Sequence, residues 1–362
     1  MDRAGVSYYL GFPGDKTPSY ENVELAADIG VRLFFTSVQI PEADIEGSIP
    51  EFRRIGEMAK RRGLRIITDV SPKAFERLGG SVSDLSPFAD LGFSVLRIDA
   101  GFSPEVIAKL AQNPYGLEIM INASPISEES AQRYEAAGLS LQEHLAGHNY
   151  YPRVESGMSL RWAEETATIL HRHGALVQAF VASQSSRRPY TYEGLCTLER
   201  QRWMSVGRAA MELFARHVAD VVFIGDPATN EAEIRELLEV AEAPHLRLRV
   251  AVQPQAGPEE RQVAFSGRHS TLNQDFEFTY RARGDRQRET LNSIPPRAPL
   301  PRPVGTVTVD NVMYPRYAGE LQIARIDLPA EPRTNVVGRV VDEDRPLLEL
   351  LRPRTVFELI PA

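Results

Sequence analysis

Residues 49–69 read IPEFRRIGEMAKRRGLRIITD, and this stretch contains the unit from which most of the chain is built. Apolar residues recur at helical spacing between Ile49 and Arg62, which predicts an amphipathic helix. Gly63 follows, and a residue that is free to adopt positive φ ends a helix at low cost. The apolar run from Leu64 to Asp69 then predicts a buried strand. One repeat is therefore a helix, a glycine and a strand that ends on a polar residue.

The same alternation continues on both sides of this repeat. The predicted strands are Val6 to Leu10, Val31 to Thr36, Leu64 to Asp69, Val95 to Asp99, Leu117 to Asn122, Leu139 to Ala146, Ala175 to Phe180 and Val221 to Ile224. The other predicted helices are Ser19 to Ile29, Pro104 to Ala111, Glu128 to Ala137, Leu160 to His173, Glu199 to His217 and Asn230 to Ala241. No G-x-G-x-x-G fingerprint follows the first strand, so the pattern favours a closed (β/α)8 TIM barrel over an open dinucleotide-binding sheet.

Beyond residue 242 the pattern changes to short runs of period two. These runs are 247–252, 275–280, 306–309, 319–326, 336–341 and 355–360, and a proline-rich segment, 294–304, lies among them. Alternation of this kind predicts strands with one buried face, and the prolines predict a loop. We therefore expect a TIM-barrel catalytic domain over residues 1–241, followed by a small all-β barrel or sandwich over residues 242–362.

Composition narrows the class of partner. The chain carries 49 acidic and 41 basic residues, for a net charge of −8, which argues against a nucleic-acid or anionic-membrane partner. No apolar run has the length of a membrane span, and no signal-peptide or lipidation pattern is seen. The single cysteine, Cys196, cannot form an internal disulfide, so a cytoplasmic location and an inert thiol are expected.

Polar residues stand at the ends of nearly all the predicted strands, where barrel enzymes place their chemistry. These candidates are Thr36, Ser37, Gln39, Asp69, Arg97, Asp99, Asn122, His148, Asn149, Tyr150, Gln178 and Asp226. The aspartates have an alternative role as helix caps, although Ser71 and Ser103 stand ready to cap the helices after Asp69 and Asp99. Arg97 shares a strand face with Asp99, and an inward arginine is costly unless it meets an anion.

Two polar loops are further candidates. The segment His148 to Gly157 reads HNYYPRVESG, a composition typical of a binding rim, although a polar surface loop is the simpler alternative. The segment Ser183 to Leu195 contains two arginines, two tyrosines and a glutamate. It suits a lid over an anionic ligand, and its alternative is an ordinary surface loop.

The residue types favour glycoside chemistry. The histidines show no metal-ligand spacing, since His171 and His173 face apart on a helix, and we expect neither a metal nor a cofactor. The G-x-S-x-G elbow of a serine hydrolase is missing. Several carboxylates with aromatic neighbours are typical of glycosidases, in which one carboxyl protonates the leaving oxygen and another acts as base or nucleophile.

Motifs along almost the whole chain resemble the bacterial 6-phospho-N-acetylmuramidase family. They are 33–42 (LFFTSVQIPE), 69–72 (DVSP), 96–102 (LRIDAGF), 121–124 (INAS), 148–153 (HNYYPR), 192–199 (YEGLCTLE), 224–226 (IGD), 310–314 (DNVMY), 316–323 (RYAGELQI) and 355–359 (TVFEL). The resemblance implies a TIM barrel followed by a cyclophilin-like β domain. It also implies a cytoplasmic exo-glycosidase that splits a 6-phosphorylated N-acetylmuramyl–N-acetylglucosamine disaccharide in peptidoglycan recycling. Gly147 and Val154 depart from the cysteine and proline that the family pattern predicts.

Under this resemblance Asp99 and Glu155 are the leading catalytic pair, with Asp69 and Glu193 in support. The assignment of acid and base stays open, and the N-acetyl group of the substrate is an alternative nucleophile. The competing class is a sugar-phosphate or peptide binding protein that has lost catalysis, with the β domain as its working module.

A phosphorylated sugar with a lactyl carboxylate needs local positive charge in a net negative protein. The candidates are Arg97, Arg153 and Arg188, and Arg316 is expected to reach in from the β domain or from a neighbouring subunit, which would make the protein a homodimer. Arginine binds phosphate bidentately, and the alternative for each of these residues is an ion pair with a surface carboxylate.

Overall fold

The computed structural model describes residues 2–12, 19–227, 230–242, 245–283 and 294–362. The chain divides into two compact units, Met1–Pro244 and His245–Ala362. Among the described residues no helix has both the length and the apolar character needed to cross a membrane.

The first unit is a closed barrel of eight parallel strands that pair in chain order, β8 closing onto β1. The strands are β1 Ala4–Ser7, β2 Leu33–Ser37, β3 Arg65–Val70, β4 Val95–Ile98, β5 Glu118–Asn122, β6 Leu145–Gly147, β7 Leu176–Val181 and β8 Val221–Pro227. The predicted (β/α)8 barrel is confirmed. In its interior the rings of Phe35, Phe180 and Phe223 meet with centroids 4.9 to 6.4 Å apart.

Nine described helices surround these strands. They are α1 Ser19–Ile29, α2 Ile49–Arg62, α3 Pro72–Leu78, α4 Ser86–Asp90, α5 Pro104–Ala111, α6 Glu128–Ala136, α7 Leu160–Arg172, α8 Val206–Ala215 and α9 Glu231–Glu242. Helix α2 buries Phe52, Ile55 and Met58 and ends at Gly63, whose φ is 65°. Ser103 caps α5 by accepting the Val106 N–H, whereas Ser71 makes no such cap bond at α3.

Several element boundaries differ from the predicted ones, among them those of β1, which covers Ala4–Ser7 instead of Val6 to Leu10. The strand predicted from Leu139 is wrong at its start, because Leu141–Glu143 form a 3-10 turn and β6 covers only Leu145–Gly147. The helix predicted from Glu199 begins at Val206, because the preceding segment forms a separate 3-10 turn, Glu199–Gln201. The short helices α3 and α4 between β3 and β4 were not predicted.

The second unit is a closed barrel of seven strands, in the order β10-β11-β13-β12-β14-β9-β15. The strands are β9 Leu246–Val252, β10 Arg268–Thr271, β11 Thr279–Arg283, β12 Thr306–Asp310, β13 Leu321–Ala324, β14 Thr334–Val340 and β15 Val356–Pro361. It also contains helix α10, Pro258–Ala264, and a 3-10 segment, Arg345–Leu350, so it is not purely β. The run predicted from Asp275 becomes a strand only at Thr279, and β10 was missed. Its likeness to cyclophilin stays a prediction.

Candidate active site

A cavity of about 430 Å³ lies where the strands of the first barrel end. Side chains from β2, β3, β4 and β7 and from the segments that follow β2, β4, β6 and β7 form its wall. The lining residues are Phe35, Ser37, Gln39, Ile40, Pro41, Glu42, Asp69, Arg97, Asp99, His148, Asn149, Tyr150, Tyr151, Pro152, Phe180 and Arg188.

Two carboxylates are joined through one amide in this cavity. The Nε2 of Gln39 donates to Oδ2 of Asp69 and to Oδ2 of Asp99, each over 3.0 Å. The two oxygens are therefore at most 2 × 3.0 Å = 6.0 Å apart. Asn122 holds the other oxygen of Asp99 by a 2.9 Å bond. The Oδ1 atom of Asp69 is buried and has no hydrogen-bond partner among the described residues. Burial raises the pKa of Asp69 to about 6, although the nearby charge of Arg97 acts in the opposite direction.

Arg97 supplies a buried positive charge beside the carboxylates. Its guanidinium donates to the carbonyl of Gly147, at 3.2 and 3.0 Å, and to Oδ1 of Asn149, at 2.6 Å. That same Oδ1 accepts a 3.2 Å bond from Asn122, which also holds Asp99. No carboxylate in the described part of the chain lies within ion-pair distance of Arg97. A Cβ at Gly147 would lie 3.1 Å from Nε of Arg97 and still closer to two other side chains, so the departure from the expected cysteine keeps this space open.

Arg188 places a second guanidinium in the cavity wall. Its carbon lies 5.2, 5.5 and 5.4 Å from the ring centres of Tyr9, Phe12 and Tyr150, which is within cation–π range. It also donates to the Tyr150 hydroxyl over 3.3 Å. No described carboxylate forms an ion pair with Arg188, and its Nε has no partner there. A planar cation held by aromatic rings keeps its donors available to an anion.

Tyr150 and His148 are uncharged components of the wall. Burial, with a smaller contribution from the charge of Asp69, raises the pKa of Tyr150 to about 12. Burial lowers the pKa of His148 to about 3, so its imidazole is neutral at pH 7. Its Nδ1 lies 3.5 Å from the hydroxyl of Ser124. Neither residue therefore brings charge to the cavity at neutral pH.

The loop His148 to Gly157 is fixed by Arg202, whose side chain is fully buried. Arg202 donates to the carbonyls of Tyr151, at 2.9 Å, and Arg153, at 3.0 Å. It also pairs with Glu199, whose carboxylate accepts the backbone N–H groups of Glu155 and Gly157. The bonds from Arg202 lower the pKa of Glu199 to about 2. These contacts hold the main chain of the loop and leave the Glu155 and Arg153 side chains exposed.

The loop Ser183 to Leu195 is fixed by Asp226. This fully buried carboxylate accepts the backbone N–H groups of Ser183, Arg188 and Leu195, each at 3.0 Å. Burial raises its pKa, and the three donors act against that shift. Asp226 is thus the anchor of a loop, a role that differs from the helix or turn cap considered for it. Cys196, next to this loop, is buried, and burial raises the pKa of its thiol to about 12.

The structure brings most of the predicted site residues together. Those that line the cavity are Ser37, Gln39, Asp69, Arg97, Asp99, His148, Asn149, Tyr150 and Arg188. Asn122 stands behind Asp99, and Gln178 lies deeper in the barrel, one inward position before Phe180. Thr36 is buried but faces away from the cavity, because its neighbours Phe35 and Ser37 line it.

Four further predicted residues, besides Thr36, Asn122, Gln178 and Asp226, do not line this cavity. Glu155 and Arg153 are exposed, and Glu193 uses its carboxylate to accept the Val154 N–H at 2.7 Å. Arg316 is exposed and belongs to the second unit. The structure therefore does not pair Asp99 with Glu155; it pairs Asp99 with Asp69. The bridging role of Gln39 and the loop contacts of Arg202 and Glu199 were not predicted, and no sequence signal marks Arg202.

Comparisons with known proteins come from family models and solved structures. The model described as "6-phospho-N-acetylmuramidase, N-terminal" matches residues 4–239, and the corresponding C-terminal model matches residues 246–360. An uncharacterized B. cereus protein is 28% identical, with a TM-score of 0.87 over 99% of this chain and 100% of its own. A conserved Enterococcus faecalis protein of unknown function is 30% identical, with a TM-score of 0.71 over 99% of this chain and 96% of its own. No protein of curated function matches the chain significantly.

Replacing Asp226 with Asn should loosen the loop Ser183 to Leu195. An amide nitrogen cannot accept an N–H, so at least one of the three buried donors loses its partner, at a cost of about 1–3 kcal/mol. Hydrogen exchange of the loop amides should accelerate, and the midpoint of denaturant unfolding should fall. Glu233→Gln is the control, because Glu233 binds the same loop at Ser183 and Gln184 from a more exposed position. Equal effects of the two substitutions would contradict the anchoring role of Asp226.

Proposed function

Since the chain belongs to the 6-phospho-N-acetylmuramidase family, we propose that it hydrolyses a 6-phosphorylated N-acetylmuramyl–N-acetylglucosamine disaccharide. The observation that carries the proposal is the pair Asp69 and Asp99, bridged by Gln39, in one cavity with Arg97 and Arg188. A role in peptidoglycan recycling in the cytoplasm is part of the same proposal.

In this proposal Asp69 is the general acid. A glycosidase needs one carboxyl that is protonated near neutral pH to donate its proton to the leaving oxygen. Burial raises the pKa of Asp69 to about 6, and its Oδ1 is the oxygen that no described group engages. The carboxyl of Asp69 lines the cavity, and its Oδ2 is held by Gln39.

Asp99 is the second catalytic carboxylate in this proposal. Amide donors from Gln39 and Asn122 orient both of its oxygens. Inverting enzymes separate their carboxyl groups by roughly 6.5–9.5 Å to admit a water molecule, and retaining enzymes by roughly 5–5.5 Å. The facing oxygens of Asp69 and Asp99 lie within twice 3.0 Å of each other, which favours retention. Either Asp99 is the nucleophile, or it orients the substrate N-acetyl group, which then attacks the anomeric carbon.

Arg97 and Arg188 bind the anionic groups of the substrate in this proposal. The phosphate and the lactyl carboxylate bring several negative charges to a chain of net charge −8, so the site itself must attract them. Both guanidiniums line the cavity without a carboxylate partner among the described residues. A planar guanidinium matches the geometry of phosphate and carboxylate oxygens.

The first test exchanges carboxylates for amides. Asp69→Asn and Asp99→Asn should each lower kcat by about a hundredfold or more, because each removes a group that acts on the reacting atoms. Glu155→Gln and Glu193→Gln are matched controls outside the cavity lining and should keep kcat near that of the unchanged protein. A large loss in the controls, with normal turnover in both aspartate variants, would move the catalytic pair to the loop. Substrate binding without cleavage by the unchanged protein would favour a sugar-phosphate binding protein.

The second test is the pH dependence of kcat/KM. The acid must be protonated to act, and a pKa raised to about 6 keeps a useful fraction protonated up to that pH. The rate should therefore fall as the pH rises through about 6, approaching about tenfold per unit above it. In Asp69→Asn this basic limb should disappear. A profile of the unchanged protein that stays flat from roughly pH 5 to 8 would remove Asp69 as the acid.

The third test concerns the anion. Arg188→Ala should raise KM by about tenfold or more for the 6-phosphorylated disaccharide, and much less for the unphosphorylated one, because a charge-assisted bond to the phosphate is lost. Arg153→Ala is the matched control, since Arg153 is exposed and outside the cavity lining. Equal increases for both disaccharides would show that Arg188 does not bind the phosphate.

A further inference from the structure

The second unit contains a polar cavity of its own. It has a volume of about 300 Å³ and lies at one end of the seven-stranded barrel, where β11 and β12 end and β13 and β14 begin. Much of its wall comes from residues 310–322, DNVMYPRYAGELQ, which include two of the motifs that carry the family resemblance.

Two buried carboxylates form the polar wall of this cavity. Asp310 is 3% exposed and Glu320 is 4% exposed. The Nε2 of Gln322 donates to Oδ2 of Asp310 at 3.1 Å and to Oε1 of Glu320 at 3.3 Å. Thr334 donates to Oδ1 of Asp310 at 2.8 Å. A carboxylate offers about four acceptor positions, so Asp310 has room to accept hydroxyl groups of a ligand.

Among the described residues, the acidic and basic side chains at the cavity are equal in number. Arg281 forms a two-point ion pair with Glu320, at 2.5 and 2.8 Å. Arg333 pairs in the same way with Glu331, at 2.7 and 2.9 Å. Asp310 and Arg302 then remain, as one acid and one base. A cavity of this kind does not favour a strongly charged ligand.

Arg302 is a lining residue whose guanidinium is only partly engaged by described groups. Its Nε donates to the Pro329 carbonyl at 2.9 Å. Within the described residues no carboxylate lies within ion-pair distance of its guanidinium. Its two terminal nitrogens can therefore donate in parallel to a pair of neighbouring oxygens.

Two tyrosines complete the wall. The rings of Tyr314 and Tyr317 meet edge to face with centroids 6.0 Å apart, and Tyr317 is 41% exposed. The guanidinium of Arg333 lies 4.1 Å from the Tyr314 ring centre and fixes that ring from outside the cavity lining. An aromatic face is electron-rich and attracts weakly positive C–H groups.

We propose that this cavity binds an uncharged sugar ring. Neighbouring hydroxyls of a sugar match the two-point donors and acceptors of Arg302, Asp310 and Gln322, and the C–H face of the ring matches the tyrosines. The balanced charge disfavours a free phosphate. The strands form a closed barrel, so a peptide has no free strand edge to pair with here. The inference does not rest on the proposed hydrolysis.

The test is a titration of the full chain with N-acetylglucosamine, monitored by saturation-transfer difference NMR. Inorganic phosphate serves as the competing probe. Tyr317→Ala and Arg302→Ala should each weaken sugar binding by about tenfold. Both side chains are at least partly exposed, and circular dichroism of each variant checks that the fold is kept. Arg268→Ala is the matched control on the same unit, because Arg268 is exposed and does not line the cavity.

The outcomes separate this site from the one in the first unit. Sugar binding that survives Arg188→Ala but not Tyr317→Ala or Arg302→Ala supports the proposal, whether or not the protein hydrolyses its disaccharide. Binding that is kept at its original strength in both Tyr317→Ala and Arg302→Ala places the sugar outside this cavity and overturns the proposal. Failure to bind the sugar overturns it as well, as does displacement of the sugar by inorganic phosphate through direct competition at Arg302.

Discussion

The buried guanidinium of Arg97 is the group on which the mouth of the first barrel depends. Removing such a charge from water costs several kcal/mol unless its donors are satisfied. Here the Gly147 carbonyl and the Asn149 amide oxygen accept those donors, and Asn149 is linked in turn through Asn122 to Asp99. The hydrogen bonds that stabilise the buried charge of Arg97 therefore also orient the carboxylate of Asp99, through Asn149 and Asn122. Gly147 belongs to this arrangement because a larger residue would occupy the space of Arg97 and its neighbours.

Buried charges also fix the loops around the cavity, although they do not line it. Arg202 binds main-chain carbonyls, and Asp226 binds main-chain N–H groups. Each of these two charged groups binds the backbone of a loop, and side chains of that loop line the cavity. Holding Tyr150 and Arg188 in place before a ligand arrives reduces the entropy lost on binding. The polarity of these loops thus comes from structural as well as ligand-directed groups.

The same arrangement, one amide between two carboxylates, lies at one end of each barrel. Gln39 joins Asp69 to Asp99, and Gln322 joins Asp310 to Glu320. One amide group donates to two carboxylates, which offsets part of their mutual repulsion and sets their spacing. In the first barrel the pair lies beside two guanidiniums that have no carboxylate partner in the described ranges, whereas in the second an arginine already neutralises Glu320. The same local geometry therefore suits a charged ligand in one unit and an uncharged one in the other.

The sequence by itself determined the class of the fold. A regular alternation of helices and strands, with a glycine after α2 and a polar residue near the end of β3, has few packed solutions. It also placed Asp69, Arg97 and Asp99 at strand ends, and strand ends of a parallel barrel meet at one face. Only the tertiary structure decided which carboxylates face each other. The strand register pairs Ser37 with Asp69, and Asp69 with Arg97. These side chains therefore lie at the same height along the barrel axis, and Gln39 can reach both aspartates. Glu155 and Glu193 sit in loops whose course depends on Arg202 and Glu199, and the polar composition of a loop does not specify which of its side chains turns inward.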